Sequence, residues 1–598
     1  MYRVGGDSQY FPLISALSRL QFGEFCLYES KGEGVLSFPF ATLFPFALFY
    51  HFFGSLGFVL ADIFIALAYY IILSKILELL EIPLFLARAV SLLVVTGVVN
   101  YFVSMLSHFI LSREYVWLSF WGWRIPSPFV SEVFFLASIY CVLALLFSQN
   151  FVSCKRYWFF LGLSTSALLQ GDPFSALIVI ISIFYFFLPF LIFKKNLRVY
   201  IVKGIFLFSL VLIVFSIPFF LQRIFENPDV PRRLGLIPIS RTKILLLYGK
   251  STYITLIAIL ISTLFLLLLL KYFKNIYHTE RIKKTVIILF CISLIAFISQ
   301  PVSIILFGRG IQIWHFHDRF LRISLLTIMV FTLYALNFVY QFLKSDFNKL
   351  KIISFPGYIF YNKLIIIILV FICILSMVKD AYVASENNKN IRQESRFIEY
   401  GLTNYRNDFV LLINELMKKE YKNCKVIGTF DHQAFCWWVA FNHGYSYVVD
   451  PFVAAVPDRT IEFRLINLCK IIGMSGTDFK KFFNLSYVHL FWLSHAKYIA
   501  SSLYTFSPLS DYDNDEQEMI RTSNVDAVWH QIIPKSEQVR LINRYLNEDI
   551  KNDLRLDLVV LTNDESLINF APSSDRFMLT YKNYTFRVWR QKDQRYGL

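Results

Sequence analysis

Residues 308–322 read GRGIQIWHFHDRFLR, between an apolar run at 285–307 and another at 320–343. At 1.5 Å per residue, ~20 apolar helical residues cross a hydrocarbon core of about 30 Å. The flanking runs therefore predict two membrane spans, and 308–322 their connection. That connection gathers Arg309, His315, His317, Asp318, Arg319 and Arg322 beside Trp314. Ionisable groups packed this densely at a membrane surface need water, phosphate or a counter-charge. They form one half of the site expected here; the other half is the segment around Asp7.

The bulk composition agrees with the spans. Of 598 residues, 56% are hydrophobic and 18% aromatic, and mean hydropathy is +0.54. A water-soluble fold cannot hide so much apolar surface, so the expected class is a polytopic α-helical membrane protein. The formal charge of +16 fits loops facing anionic lipid. No basic stripe or nucleic-acid motif accompanies it, which excludes nucleic acid as the expected partner. Cys26, Cys424, Cys436 and Cys469 lie outside the apolar runs without metal-ligand spacing, and disulfides between them stay open.

Apolar runs predict about ten spans, roughly 57–78, 86–110, 128–148, 157–170, 173–193, 200–222, 252–270, 285–307, 320–343 and 364–378. One set of alternate loops is richer in Lys and Arg, through Lys75, Lys155, Arg156, Lys194, Lys195, Arg198, Lys271, Arg281, Lys283 and Lys284 among others. That bias puts this set in the cytoplasm. Residues 1–54, the loops 112–127, 171–172, 223–251 and 308–319, and 384–598 are then extracytoplasmic or lumenal. Asp62, His108, Glu132 and Arg322 fall near the outer ends of spans, and no charge falls near mid-span. The expected layout is a first outer loop with an interfacial helix (1–54), a transmembrane helical domain (55–380) and an extracytoplasmic α/β domain (384–598).

Several stretches outside 308–322 have chemistry to offer. The aromatic run SFPFATLFPFALFYHFFG (37–54) reads as a helix lying in or dipping into the membrane interface, or as a short span that would move Asp7 to the opposite side. The loop 112–127, SREYVWLSFWGWRIPS, has three tryptophans typical of an aromatic belt, and Arg124, whose guanidinium can hold a phosphate or snorkel to headgroups. Asp172, in the turn Gln170-Gly171-Asp172-Pro173, fits either an Asx turn or a substrate contact. The long loop 223–250 holds Arg232 and Arg233 for anion binding and is long enough to cover a lipid-facing site.

Beyond 384 the charge density rises and long apolar runs stop. Strands are expected at 424–430, 445–449, 496–502 and 557–562, helices at 432–442, 457–473 and 535–549, and a hairpin at 576–590 turning at Lys582-Asn583. Residues 508–519 read as an acidic loop. His432 and His443 lack metal spacing, and sequons occur at Asn484 and Asn583.

Taken together, the early acid in GGDSQYFPLISALSRLQFGEF, the Pro- and aromatic-rich run after it, about ten spans with the Arg-Pro segment WRIPSP, and a C-terminal domain resemble the C-type (GT-C) superfamily of integral-membrane glycosyltransferases. The resemblance is architectural and covers nearly the whole chain. It implies transfer of a sugar from a polyprenyl-phosphate donor to a glycan, lipid or protein acceptor at the outer or lumenal face. It implies that Asp7 acts as general base or helps hold a divalent metal, Mg2+ or Mn2+, for which Asp318 is a second candidate. Arg124, Arg309, His315, His317 and Arg319 would then neutralise the departing phosphate, with Asp172, Arg232 and Arg233 as substrate contacts. Two departures stand out. Ser8 and Gln9 follow Asp7 where the family often has a second acid, and no span precedes the first loop, so an upstream span is expected. A catalytically inactive relative that binds or assembles lipid-linked glycans is the alternative. A transporter or flippase is a third reading, against which the missing mid-span charge counts.

Overall fold

The computed structural model describes residues 10–21, 26–29, 40–95, 129–148, 154–224, 236–238, 250–272, 279–307, 309–311, 405–449, 456–483, 509–522, 533–550 and 554–592, with scattered positions in 320–335 and 488–505 and without 565. The described fold is mostly helical, with a small C-terminal sheet. The chain divides into two compact units, one of Met1–Ala61, Phe219–Pro238 and Val383–Leu598, the other of Asp62–Pro218 and Ile239–Tyr382.

The second unit is built from α3 (Leu56–Leu79, from Asp62 on), α4 (Leu84–Val95), α5 (Phe129–Phe147), α6 (Lys155–Gly171), α7 (Pro173–Phe193), α8 (Lys195–Phe215), α10 (Lys250–Tyr272), α11 (Thr279–Phe307) and α12 (Leu326–Ala335); α9 (Ile217–Ile224) follows α8. Among the described residues five helices, α3, α5, α7, α8 and α11, are long and apolar enough to cross a membrane. That is fewer than the ten expected. α4, α10 and α12 contribute shorter apolar stretches, and 364–378 lies outside the described residues. α6 is shorter, at 17 residues, and carries Ser164, Thr165, Ser166 and Gln170 along its second half.

Those polar positions hold the bundle together. Ser164 and Ser138 hydroxyls lie 2.8 Å apart between α6 and α5, and Ser166 and Ser216 lie 3.0 Å apart beyond the end of α8. Gln170 Nε2 donates to the Phe215 carbonyl at 2.7 Å. Ser293 and Thr327 link α11 to α12 at 2.9 Å. Where apolar packing alone distinguishes poorly between lipid and protein, such bonds and small residues select the contact. Gly204 of α8 lies against the Trp158 ring of α6, where a Cβ would stand 2.3 Å from Nε1. Arg281, counted above among the cytoplasmic loop charges, also fastens helix ends. It pairs with Glu81 at 2.9 Å and donates to the Leu79 carbonyl at 3.0 Å, while Tyr334 Oη donates to the Leu80 carbonyl at 2.6 Å. These bonds satisfy carbonyls at the C-terminal end of α3 that the helix leaves open.

The first unit centres on a five-stranded sheet of β1 (Val426–Thr429), β2 (Tyr445–Ser446), β3 (Leu558–Thr562), β4 (Phe577–Lys582) and β5 (Phe586–Gln591), in the order β2-β1-β3-β5-β4. β1 is parallel to β2 and β3, and β5 is antiparallel to β3 and β4. β1 and β3 are buried along their whole length, as strands covered on both faces are. The unit also holds α13 (Tyr405–Leu416), α14 (His432–Phe441), α15 (Asp458–Ile471), α16 (Gly476–Phe483), α17 (Asn514–Thr522) and α18 (Lys535–Asn547); α14 packs on β1 and β2, and α13 on β5. The expected acidic loop at 508–519 is in part α17. Asp513 Oδ1 accepts the Glu516 N–H at 2.8 Å and Glu516 Oε2 accepts the Asp513 N–H at 2.9 Å. That reciprocal pair is a capping box, and it starts the helix. The expected strand at 445–449 is in register with β1 at Tyr445 and Ser446, and the Tyr447 N–H also donates to the Ile427 carbonyl at 2.7 Å.

The amino-terminal segment is part of this unit. α1 (Tyr10–Ser18) packs on α2 (Phe40–Phe53) and on α14. Ser15 Oγ and Tyr50 Oη both donate to the Ala440 carbonyl, at 2.6 and 2.9 Å. The Ser446 N–H donates to the Cys26 carbonyl at 2.7 Å, beside β2, and buried Arg464 pairs with Glu29 at 2.7 Å. The described residues between 10 and 53 thus pack on elements of the C-terminal part of the chain. Cys26, Cys424, Cys436 and Cys469 are all buried.

Candidate functional site

Within the second unit, one cavity of about 40 Å3 brings ionisable groups together. Tyr69 and Leu73 of α3, Val94 of α4, Ser131, Glu132, Phe135 and Leu136 of α5, Asp172, Ser175 of α7, and Ile323, Leu326 and Met329 line it. At ~10–15 Å3 per occupant, it admits about three water-sized groups. Asp172 is 4% exposed and Glu132 9%.

Local sequence places both acids. The Asp172 N–H donates to the Leu168 carbonyl at 2.6 Å, ending α6, and its own carbonyl accepts from Ala176, opening α7. Pro173 at the first position of α7 has the φ a helix start needs and no N–H to satisfy. The Asp172 side chain makes no cap bond to the α7 backbone. Its Oδ2 instead accepts from Ser175 Oγ at 2.8 Å. The carboxylate thus bonds a side-chain hydroxyl in the cavity wall rather than the cap N–H groups an Asx turn would use. Glu132 lies in the first turn of α5. Both carboxylates thus stand at helix N-termini, where the aligned peptide dipoles favour negative charge by about 0.3–1 kcal/mol each. That partly offsets the cost of burying them among apolar side chains.

Chemically, the arrangement is a mostly apolar hollow with two carboxylates and three hydroxyls (Tyr69, Ser131, Ser175) converging on it. Such a wall can accept protons from, and orient, one small hydroxylic group. Sequence reasoning placed Glu132 near a span end without pairing it to Asp172. The available signal was that each is a lone acid at the head of an apolar run, which by default marks function.

The other residues expected at the site are distributed as follows. Asp7, Arg124, Arg232, Arg233, His315, His317, Asp318 and Arg319 lie outside the described residues. Arg309 opens a three-residue strand, Arg309–Ile311, and its side chain lies outside the described residues. Among the described residues no three or more His, Cys, Asp or Glu side chains gather as a metal would require.

In the first unit, Asp431 sits just past the C-terminal end of β1, where parallel sheets often bind ligands, yet it is committed to structure. It caps α14 through the Ala434 N–H at 2.7 Å and accepts the Tyr405 hydroxyl at 2.7 Å. Burial pushes the Asp431 carboxyl above the usual range despite these bonds. Burial and then Asp431 push Tyr405 well above the ordinary phenol value. His432 Nε2 lies 3.4 Å from Cys436 Sγ, one turn along α14, and His443 Nδ1 lies 3.5 Å from Ser15 Oγ.

No protein-family model matches the chain, and no curated protein matches it.

Proposed function

We propose that the chain is an integral-membrane glycosyltransferase that moves a sugar from a polyprenyl-phosphate donor to an acceptor hydroxyl, with the Glu132–Asp172 cavity as part of its substrate site. The observation that carries the reading is the convergence of two buried carboxylates on one hollow in a bundle of apolar helices. Five helices long and apolar enough to cross a membrane support the membrane setting. The multi-pass topology of about ten spans, with residues 1–54 and 384–598 on the extracytoplasmic or lumenal side, belongs to the same proposal.

In the step proposed, a carboxylate accepts the proton of the acceptor hydroxyl. The acceptor oxygen bonds to the anomeric carbon as the bond from that carbon to the phosphate oxygen breaks. The electron pair leaves with the lipid phosphate. The departing dianion needs cationic neutralisation, which Arg124, Arg309, His315, His317 and Arg319 supply in this reading. Asp7 is the base that the family resemblance implies. Glu132 and Asp172 hold and orient the hydroxylic partner in their cavity.

The test is transfer by the full chain in proteoliposomes, using polyprenyl-phosphate hexoses radiolabelled in the sugar. Asp7→Asn, Glu132→Gln and Asp172→Asn are each expected to abolish transfer while the protein stays monodisperse. Full activity in both cavity variants would remove the cavity from the site. Donor binding by the wild type without turnover would replace the transferase with a lipid-glycan binding protein.

A further inference from the structure

The last carbonyls of α3 have no partner within the helix and must be satisfied elsewhere. Two are met by the residues that follow. The Ile82 N–H donates to the Leu77 carbonyl and the Glu81 N–H to the Glu78 carbonyl, each at 3.0 Å. With Glu81 at φ 63°, this is a Schellman closure, whose left-handed position usually goes to glycine. The next two carbonyls are met from other helices. Arg281 Nη2 donates to Leu79 at 3.0 Å, and Tyr334 Oη donates to Leu80 at 2.6 Å. Glu81 is strained where glycine would not be, and from there its carboxylate stands 2.9 Å from Arg281. The Arg281 guanidinium also lies over the Phe147 ring, 5.0 Å from its centroid. One clasp thus joins the C-terminal ends of α3, α5 and α12 to the start of α11.

Three of those helices wall the Glu132–Asp172 cavity. α3 gives it Tyr69 and Leu73, α5 gives Glu132, and α12 gives Leu326 and Met329. Leu73 lies about 9 Å along α3 from Leu79, and Met329 about 8 Å along α12 from Tyr334, at 1.5 Å per residue. The buried residues around the clasp are mostly apolar, with Ile76, Leu77 and Leu80 on α3 and Val330, Phe331 and Leu333 on α12. Apolar helix surfaces pack on one another little better than on lipid, so they fix poorly how one helix slides or tilts against the next. Buried hydrogen bonds and ion pairs fix it well, because a lost partner leaves a polar group in apolar surroundings. Tyr334 is 2% exposed, so water does not replace its hydroxyl at Leu80.

We propose that Glu81, Arg281 and Tyr334 are positioning residues that set α3 against α12, and with them the width of the Glu132–Asp172 cavity. This rests on the role of that cavity in the proposed function. The test treats the full chain in detergent with dicyclohexylcarbodiimide, an apolar reagent for carboxyl groups, and reads labelling of Glu132 and Asp172 by peptide mass spectrometry. Tyr334→Phe deletes one hydroxyl and keeps the ring, so the packing stays. Arg281→Gln deletes the charged fork. Both are expected to raise labelling several-fold, as the walls become free to part. Arg281→Lys, which keeps a charged donor for Glu81, is expected to bring labelling back near the wild-type level. Ser166→Ala removes a buried interhelical bond from elements outside the described lining and should label as the wild type does. Wild-type labelling in both Tyr334→Phe and Arg281→Gln would overturn the inference. So would an equal rise in Ser166→Ala, which would mark general loosening of the bundle. The label reacts without sugar transfer, so failure here and failure of the transferase reading are separate results.

Discussion

Substituting Gly57 by alanine should open the corner at which α2 meets α3. The added Cβ would sit 2.3 Å from the Phe49 carbonyl oxygen, 2.4 Å from its carbon and 2.6 Å from the Tyr50 nitrogen. All three are backbone atoms, so no side-chain rotation relieves the clash, and about 1 Å of displacement is needed to reach ordinary contact. Overpacking of this kind costs about 1–3 kcal/mol. The upper end applies if Phe58 is levered off Phe11, Phe46, Tyr50 and Phe441. Gly54→Ala is the control: nothing lies within 4 Å of its added Cβ, and only the positive φ penalises it, by about 1 kcal/mol. The assay is thermal unfolding of the full chain in detergent, together with limited proteolysis read at the 53–57 junction. The expected order of stability is wild type, then Gly54→Ala, then Gly57→Ala, with faster cleavage at the junction in the last. A Gly57→Ala protein with wild-type melting and proteolysis would refute the close approach of α2 and α3.

Further expectations concern the first unit. Glu462 of α15 is buried and takes Arg540 and Arg544 of α18, each at 2.8 Å. Glu462→Gln should cost about 2–3 kcal/mol, below the full value for a buried pair because Arg540 is partly exposed; unchanged denaturant resistance would contradict the network. His443 has its pKa lowered, first by burial and then by Arg19 and Lys425. The folded chain then binds fewer protons than the unfolded one just below pH ~6.5, so stability should be lost as pH falls from there through the folded value. His443→Asn, which tolerates the left-handed φ of 54°, should flatten that slope in melting curves taken from pH 7 to 5. Asn583 spends its side chain on the hairpin turn. Oδ1 accepts the N–H groups of Thr585 and Phe586 at 3.0 and 2.6 Å, and Nδ2 donates to the Asp408 carbonyl at 2.9 Å. Its sequon should stay unmodified in a glycosylating host, and a glycopeptide containing Asn583 would contradict that geometry.

Some elements were legible because one periodicity dominated. β1, α14, α15, α18, β3 and the β4–β5 hairpin fall where alternation and helical spacing put them, and the hairpin turns at Lys582-Asn583 as read. α17 was missed because acidic composition outweighed the Asp513-x-x-Glu516 capping signal. α13 was missed although Asp408 in its first turn is a local start signal; Tyr405 is also held by Asp431, 26 residues on. The packing of α1 and α2 on α14 could not be read at all, since the Ser15 and Tyr50 bonds to Ala440 span 425 and 390 residues. At the site, Asp172 was singled out from its turn, but that it lines one cavity with Glu132 depends on how α5 and α7 pack, which no spacing encodes.

Release of the lipid product is the most direct test of the proposed transfer of a sugar from lipid phosphate by this chain. Purified full chain in proteoliposomes loaded with polyprenyl-phosphate mannose, glucose or galactose and a mixed glycan and lipid acceptor pool should generate free polyprenyl phosphate, detected by mass spectrometry. The release should disappear in Glu132→Gln and Asp172→Asn. Intact donor with the wild-type chain across all three sugars, or equal release by wild type and both variants, would contradict it.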